Sequence, residues 1–298
     1  MTPNSTKNTK NSKNTKSLLL VHAHPDDETI NNGATMAMYA ATGYNVTLVT
    51  CTRGEEGEIL VPELAHLTAD KEDGLAPIRE VELANAMAAL GVKDHRFLGT
   101  PEHRYRDSGM MGTPPNDRPD VFWQADLDSA ARELVKIILE VKPQVLVTYD
   151  DFGGYGHPDH IQAHRVAMRA AELVESEWNI EKIYWNTMPR SVIQKGIDAM
   201  KAAGSDFMGV DNADDLPFAK PDDVVTTAIN ASEFVDQKMK AMASHPTQIA
   251  LDGPFFALSN NVGLNVWGYE YYTLVKGVKS GDLTPEGWEQ DLFAGIAD

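Results

Sequence analysis

Apolar runs alternate with helix-period stretches over the first 175 residues of the chain. Leu18 to His22 is short and nearly unbroken in its apolar character, as a strand buried on both faces is. A helical pattern follows from Glu28 to Thr42 and stops at Gly43. Val46 to Thr52 predicts a second strand. Pro77 to Leu90 predicts a helix, with Gly91 as its stop signal. Arg96 to Leu98 reads as a short third strand. Asp126 to Val141 predicts a helix that ends at Pro143, Gln144 to Tyr149 a buried strand, and Pro158 to Val174 a further helix.

This alternation predicts an α/β fold, Rossmann-like, with a mostly parallel sheet and helices on both faces. In such sheets ligands bind beyond the carboxyl ends of the strands. Three polar segments fall at those ends: His22 to Glu28, Arg53 to Glu58 and Asp150 to His160. After residue 175 the pattern is less regular. Lys182 to Thr187, Val224 to Asn230 and Trp267 to Val275 read as strands, Ser232 to Ser244 as a helix, and Phe293 falls in a short terminal helix. No internal repeat or linker breaks the chain. Residues 17–298 are therefore expected to form one domain, with 17–175 the Rossmann-like core and 176–298 completing the site. Residues 1–16 are nearly all Asn, Thr, Lys, Ser and Pro, and predict a disordered tail.

Charge narrows the partners. The chain carries 44 acidic against 26 basic residues, a net charge of -18. Such a surface repels phosphate backbones and anionic membranes, so neither nucleic acid nor membrane is an expected partner. No stretch approaches the roughly 20 apolar residues of a membrane span. Ser17 to Val21 is too short for a signal-peptide core, and a cytoplasmic protein is expected. The one cysteine, Cys51, lies in a predicted strand and reads as a buried, inert thiol. The sequence does not specify an oligomeric state.

Two clusters carry the chemistry. His22-Ala-His24-Pro25-Asp26-Asp27-Glu28 places two imidazoles and three carboxylates in seven residues at the end of the first strand. Like charges so crowded call for a cation, and His and Asp are suitable ligands for zinc. Helix capping by Asp26 or Asp27 is the plainer reading, but it does not explain both acids beside His24. The second cluster, Gly153-Gly-Tyr-Gly-His157-Pro-Asp-His160, follows the most convincing strand. A catalytic zinc commonly keeps three protein ligands and one open position; His24, Asp27 and His160 supply such a set. His164, four residues on, competes for the metal, but its spacing points along the helix and away from the strand ends. A glycine-rich phosphate loop is excluded, because the lysine and spacing it needs are missing. His22, beside the first cluster, reads as a packing residue or one that supports the site from behind, and His66, His95, His103 and His245 as structural.

His24-Pro-Asp-Asp-Glu28 with His157-Pro-Asp-His160 resembles the zinc-dependent deacetylases of the LmbE/PIG-L type. The match runs closest to the branch that deacetylates N-acetylglucosaminyl-inositol in mycothiol biosynthesis. It extends through Thr50 to Glu58, Arg106 to Met110, Gly153 to His160, Leu258 to Asn261 and Gly287 to Glu289. The resemblance implies hydrolysis of an acetamide on an N-acetylglucosaminyl sugar, with one Zn2+ per chain on His24, Asp27 and His160. A His/Asp/His set also accepts Fe2+. Asp26 is implied as general base. His157 is implied to stabilise the oxyanion or protonate the leaving amine, with Asp159 orienting it. Tyr155 is implied to polarise the amide carbonyl. Arg79 and Asp107 are implied to hold the sugar, with Glu58 and Met110 nearby. Trp123 follows the sugar-binding segment. The related amidases that cleave mycothiol conjugates are expected to carry proline where Gly156 stands and lysine near Asn31. A metal-binding module without catalysis is the reading from another class; it gives no reason for Asp26, His157 and Asp159 to be present together.

Overall fold

A computed structural model describes residues 16–202, 204, 209–250, 253 and 268–297. Almost all of the predicted tail, the Leu258 to Asn261 motif and the predicted strand start at Trp267 lie outside the described residues.

The main sheet is built on β1 (Ser17–His22), β2 (Asn45–Thr50), β3 (Asp94–Phe97), β4 (Val145–Thr148), β5 (Lys182–Pro189), β6 (Thr227–Asn230) and β7 (Tyr269–Lys276), in the order β3-β2-β1-β4-β5-β7-β6. Strands β3 to β5 along this order are parallel, and β7 is antiparallel to both of its neighbours. The short segment Ala219–Lys220 adds a parallel pairing at the end of β5. The sheet is thus Rossmann-like and mostly parallel. Its first two crossovers build outward from β1 in one direction, and β4 then starts the other half. That reversal leaves a crevice between the carboxyl ends of β1 and β4, where α/β sheets hold their ligands.

Alternation along β1 explains the layers. Leu18 and Leu20 point to one face, against Ala34 and Met36 of α1 (Asp27–Ala41) and Leu83 and Met87 of α2 (Leu75–Leu90). Leu19 and Val21 point to the other face. They meet Leu134 and Ile138 of α3 (Leu127–Val141) and Ala163 and Val166 of α4 (Pro158–Val174). Cys51 is buried in that second layer. Gly91 ends α2 in the left-handed conformation, with φ 74°, as its position predicts.

The C-terminal part departs from expectation in detail. Helix α5 (Arg190–Ala202) follows β5 directly, where no helix is predicted. The predicted strand from Val224 shortens to β6, because Asp222–Val224 forms a 3-10 turn. The helix expected from Ser232 begins as a 3-10 turn and becomes α6 (Val235–Met242). Phe293 lies in turns rather than a helix, packed against Tyr39 and Tyr44. Among the described residues, no helix is long and apolar enough to cross a membrane.

A buried ion pair fastens this part to the sheet. Glu289 is fully buried and accepts from Lys182 Nζ at 2.6 Å, Tyr184 Oη at 2.9 Å, Thr227 Oγ1 at 3.0 Å and the Ser280 N–H at 2.7 Å. Removing one partner leaves the other charge uncompensated. Glu289→Gln is expected to destabilise the protein by about 3–5 kcal/mol in urea unfolding. A loss below about 1 kcal/mol would mean that Lys182 re-pairs at no cost.

Candidate active site

The polar segments at the carboxyl ends of β1, β2 and β4 converge on the crevice. His24 Nδ1 lies 3.2 Å from Asp27 Oδ2, His160 Nε2 lies 3.3 Å from the same oxygen, and the two ring nitrogens are 3.3 Å apart. Donor atoms of one tetrahedral cation, each at about 2.0–2.1 Å from it, sit roughly 3.4 Å from each other. All three residues are buried.

Each of the three side chains is also held from behind. Asp27 Oδ2 accepts the His24 backbone N–H at 2.9 Å. His160 Nδ1 faces the Gly153 carbonyl at 3.1 Å, which fixes its hydrogen there and leaves Nε2 free. His24 Nε2 faces Asp159 Oδ2 at 3.2 Å and Asp107 Oδ1 at 3.6 Å, leaving Nδ1 free. Burial opposes a charge on His24, but Asp107, Asp159 and Asp27 outweigh it and raise its pKa well above the ordinary value. Positive charge is what this cage favours, so the donor set fits a metal ion. His24 with His157 and His160, or with Asp107 and Asp159, offers looser sets within 4.8 Å. The oxygens of Asp159 are already engaged by Ser108 and His24, which favours the tighter trio. His164 turns Nδ1 to the Tyr149 carbonyl at 3.0 Å and takes no part in the trio.

Asp26 stands beside the trio without joining it. It occupies the N-cap position of α1, yet its side chain caps nothing. Its backbone has φ 121° and ψ -33°, a region that costs a non-glycine residue of order 1–3 kcal/mol. Glu28 Oε2 takes its N–H at 3.0 Å, and its carbonyl accepts from Thr29 and Ile30. Burial raises its pKa to about 6, against the opposing pull of Arg79.

His157 caps α4: its Nδ1 accepts the Asp159 N–H at 3.1 Å, so the ring hydrogen sits on Nε2. Burial, with His24 and His160 beside it, lowers its pKa to about 3 and keeps it neutral. The carboxylate of Asp159 does not reach for His157 as expected. It accepts the Ser108 N–H at 2.9 Å, bonds the Ser108 hydroxyl and faces His24. What Asp159 offers His157 is its backbone N–H.

The four residues expected around the sugar separate into two depths. Glu58 and Met110 are exposed, on the loops leaving β2 and β3. Asp107 is buried, with Oδ1 accepting the Gly109 N–H at 2.8 Å and Oδ2 the Glu56 N–H at 3.2 Å. Arg79 is buried beneath Asp26 and bonds the Pro25 and Gly54 carbonyls. Tyr155 is exposed, its ring edge-on to His160 at 4.9 Å between centroids. The Trp123 backbone N–H donates to Ser108 Oγ, and its ring lies under Arg165.

The fold brings further residues to the site behind those expected to carry the chemistry. Tyr149 stacks on His160 at 4.3 Å, and its hydroxyl accepts the Ala23 N–H. His22 links that hydroxyl at 3.1 Å to Asn32 at 2.8 Å, and Asn32 donates to Tyr272 and Asn186. Burial lowers the pKa of His22, so it bridges as a neutral ring. His245 is fully buried 3.5 Å from Glu28. His22 was already visible in the first cluster, beside the site; for Tyr149 the apolar-then-polar run that it ends was the signal.

A donor set that fits a cation, with an acid beside it that is not part of that set, at the switch point of a Rossmann-like sheet, is the layout of a metal-dependent hydrolase. Residues 19–171, just over half of the chain, match the family model PIG-L, described as GlcNAc-PI de-N-acetylase. The chain belongs to that family. It is 60% identical to 1D-myo-inositol 2-acetamido-2-deoxy-alpha-D-glucopyranoside deacetylase 1 of Catenulispora acidiphila, over 94% of this chain and 90% of the relative. It is 58% identical to the deacetylase of the same description from Geodermatophilus obscurus, over 94% and 98%. Among solved structures, 4-carboxy-2-hydroxymuconate hydratase of Pseudomonas putida KT2440 shares the fold at TM-score 0.59 and 19% identity, over 90% of this chain and all of that one. A hydratase on the same fold shows that the fold alone does not choose the reaction.

Proposed function

We propose that the chain hydrolyses the acetamide of 1D-myo-inositol 2-acetamido-2-deoxy-α-D-glucopyranoside, releasing acetate and glucosaminyl-inositol for mycothiol biosynthesis. The observation that carries this is the 60% identity, over nearly the whole chain, to a deacetylase of that substrate. The site supplies the matching chemistry. His24, Asp27 and His160 would hold a zinc ion, which would supply the Lewis acidity to polarise an amide carbonyl and to acidify water enough for attack near neutral pH. Asp26 takes the proton of the attacking water. Burial raises its pKa above the ordinary carboxylate value, the direction that helps a base accept that proton and return it to the departing amine. His157, a neutral ring with its hydrogen on Nε2, donates to the developing oxyanion. Tyr155 offers a second donor, its hydroxyl, from the rim. Glu58 and Met110 face the sugar from the loops above.

Gly156 bears on the amidase alternative. Its φ is 91°, whereas a proline is held near -65°. The turn that delivers His157 here cannot carry proline. Asn31 donates to the Asp27 carbonyl at 2.8 Å, fastening the first turn of α1.

Release of free amine, with acetate measured beside it, tests the reading, from N-acetylglucosaminyl-inositol, plain N-acetylglucosamine and a mycothiol conjugate, before and after chelation and zinc return. Fast, zinc-restored release that prefers the inositol glycoside is the expected result. Turnover of the conjugate alone would move the chain to the amidase branch.

A further inference from the structure

Helix α6 ends at Met242, and the chain then turns against the loop that follows β2. His245-Pro-Thr-Gln248 forms that turn. The Gln248 N–H reaches the His245 carbonyl at 3.0 Å, and Pro246 takes the position where its fixed φ suits a turn. The Ile249 N–H joins the same carbonyl at 2.8 Å. His245 is fully buried behind Glu28. Thr247, also buried, gives its N–H and its hydroxyl to the two carboxylate oxygens of Glu82, at 3.0 and 2.7 Å. The turn is thereby fixed to α2.

This fixed turn carries the loop. The Leu60 N–H bonds the Thr247 carbonyl at 2.9 Å, and Gln248 Nε2 donates to the Glu58 carbonyl at 2.9 Å. Among the described residues, these are the hydrogen bonds of Glu58, Ile59 and Leu60, and both run to the turn. The approach is close. A Cβ on Gly57 would fall 2.7 Å from Gln248 Oε1, nearer than a side chain is found, so the loop lies against the amide only because residue 57 has none. On the other side, Glu56 is anchored to the wall of the site: its N–H bonds Asp107 at 3.2 Å, and its carboxylate pairs with Arg106 at 2.7 Å. Glu58 stands between the two anchors. Its own carboxylate is exposed and makes no hydrogen bond or ion pair among the described residues.

We propose that Gln248 is a positioning residue for Glu58: it fixes the backbone of the sugar loop so that the exposed carboxylate meets the hydroxyls of the inositol glycoside, and it sets affinity for that substrate rather than the chemical step. This rests on the deacetylase reading above. The contacts support the split. His24, Asp27, His160 and Asp26 are held by bonds that do not pass through Gln248. Loss of an interaction made alike in the ground and transition states raises KM and keeps kcat. One hydrogen bond of this kind changes an equilibrium by about 3–10-fold.

The test measures kcat, KM and bound zinc for Gln248→Ala and Gln248→Met, with free amine as the readout, beside hydrogen exchange of residues 57–61. Methionine keeps the length of the side chain and removes its donor, which separates the hydrogen bond from packing. Both variants leave Thr247 on Glu82. The expected result for both is a KM for N-acetylglucosaminyl-inositol up about 3–10-fold, kcat within about twofold, zinc unchanged and faster exchange of the loop. In a Glu58→Ala background, Gln248→Ala is expected to raise KM no further, because it acts through Glu58. Additive effects on KM would overturn the proposal. So would a wild-type KM in Gln248→Met, a fall in kcat with KM kept, or loop exchange that neither variant changes. If the wild-type protein hydrolyses none of the acetamides, the deacetylase reading fails, and hydrogen exchange alone decides whether Gln248 holds the loop.

Discussion

Asp26→Asn is expected to keep its zinc and its fold while losing about 10²–10⁴-fold in kcat, the usual contribution of a positioned general base. The geometry separates the two readouts. The three donor atoms that approach within 3.2–3.3 Å of one another belong to His24, Asp27 and His160, and Asp26 supplies none of them. Asparagine matches aspartate in shape and, like it, tolerates positive φ better than most residues, so the strained turn survives the change. It leaves Arg79 with an amide oxygen in place of a carboxylate, a cost that falls on stability, not on the ligands. What disappears is a carboxylate beside the trio that supplies none of its donor atoms and can accept a proton. Zinc content by metal analysis and kcat from acetate release check both halves. Near-wild-type turnover would remove Asp26 from the mechanism. Loss of zinc would place it among the ligands.

Much of this was legible in the chain. The strand-helix alternation to residue 175 gave the parallel half of the sheet and its layers, because parallel strands buried on both faces must be apolar throughout. The C-terminal part was read less well. β7 runs against its neighbours, and α5 carries Lys195, Gly196 and Asp198 in mid-helix, which dilute its apolar stripe. In the site, the metal-binding types were visible because they cluster in two short motifs. The connections among them were not, because they join residues far apart. Asp159 reaches Ser108, 51 residues away, rather than its near neighbour His157. Arg79 is 25 residues from Gly54 and 54 from Pro25. Nothing local in a helix sequence tells a surface arginine from one buried under a catalytic turn. Residue type at a motif is set by chemistry that a sequence displays; what the residue touches is set by the register of strands and the packing of loops.

The same separation grades the metal site. His160→Ala is expected to abolish zinc binding at micromolar metal and with it all zinc-restored turnover. Asp159→Asn should weaken zinc by about 10–100-fold, the usual cost of removing a partner that orients a ligand. His160 supplies a donor atom 3.3 Å from each of the other two, and its Nδ1 is already committed to the Gly153 carbonyl, so the ring is set in place before metal arrives. Without it only His24 and Asp27 are left of the tight trio, and two donors do not make a structural or catalytic zinc site. Asp159 works at one remove. It holds His24 from the Nε2 side and is held in turn by Ser108. Its amide can still accept from Ser108, but the negative charge that favours metal on the far nitrogen is lost. Competition titration against a zinc indicator measures both variants on one scale. If Asp159→Asn lost as much affinity as His160→Ala, the carboxylate would itself be a ligand, and the looser set of His24, Asp107 and Asp159 would be the metal's true seat.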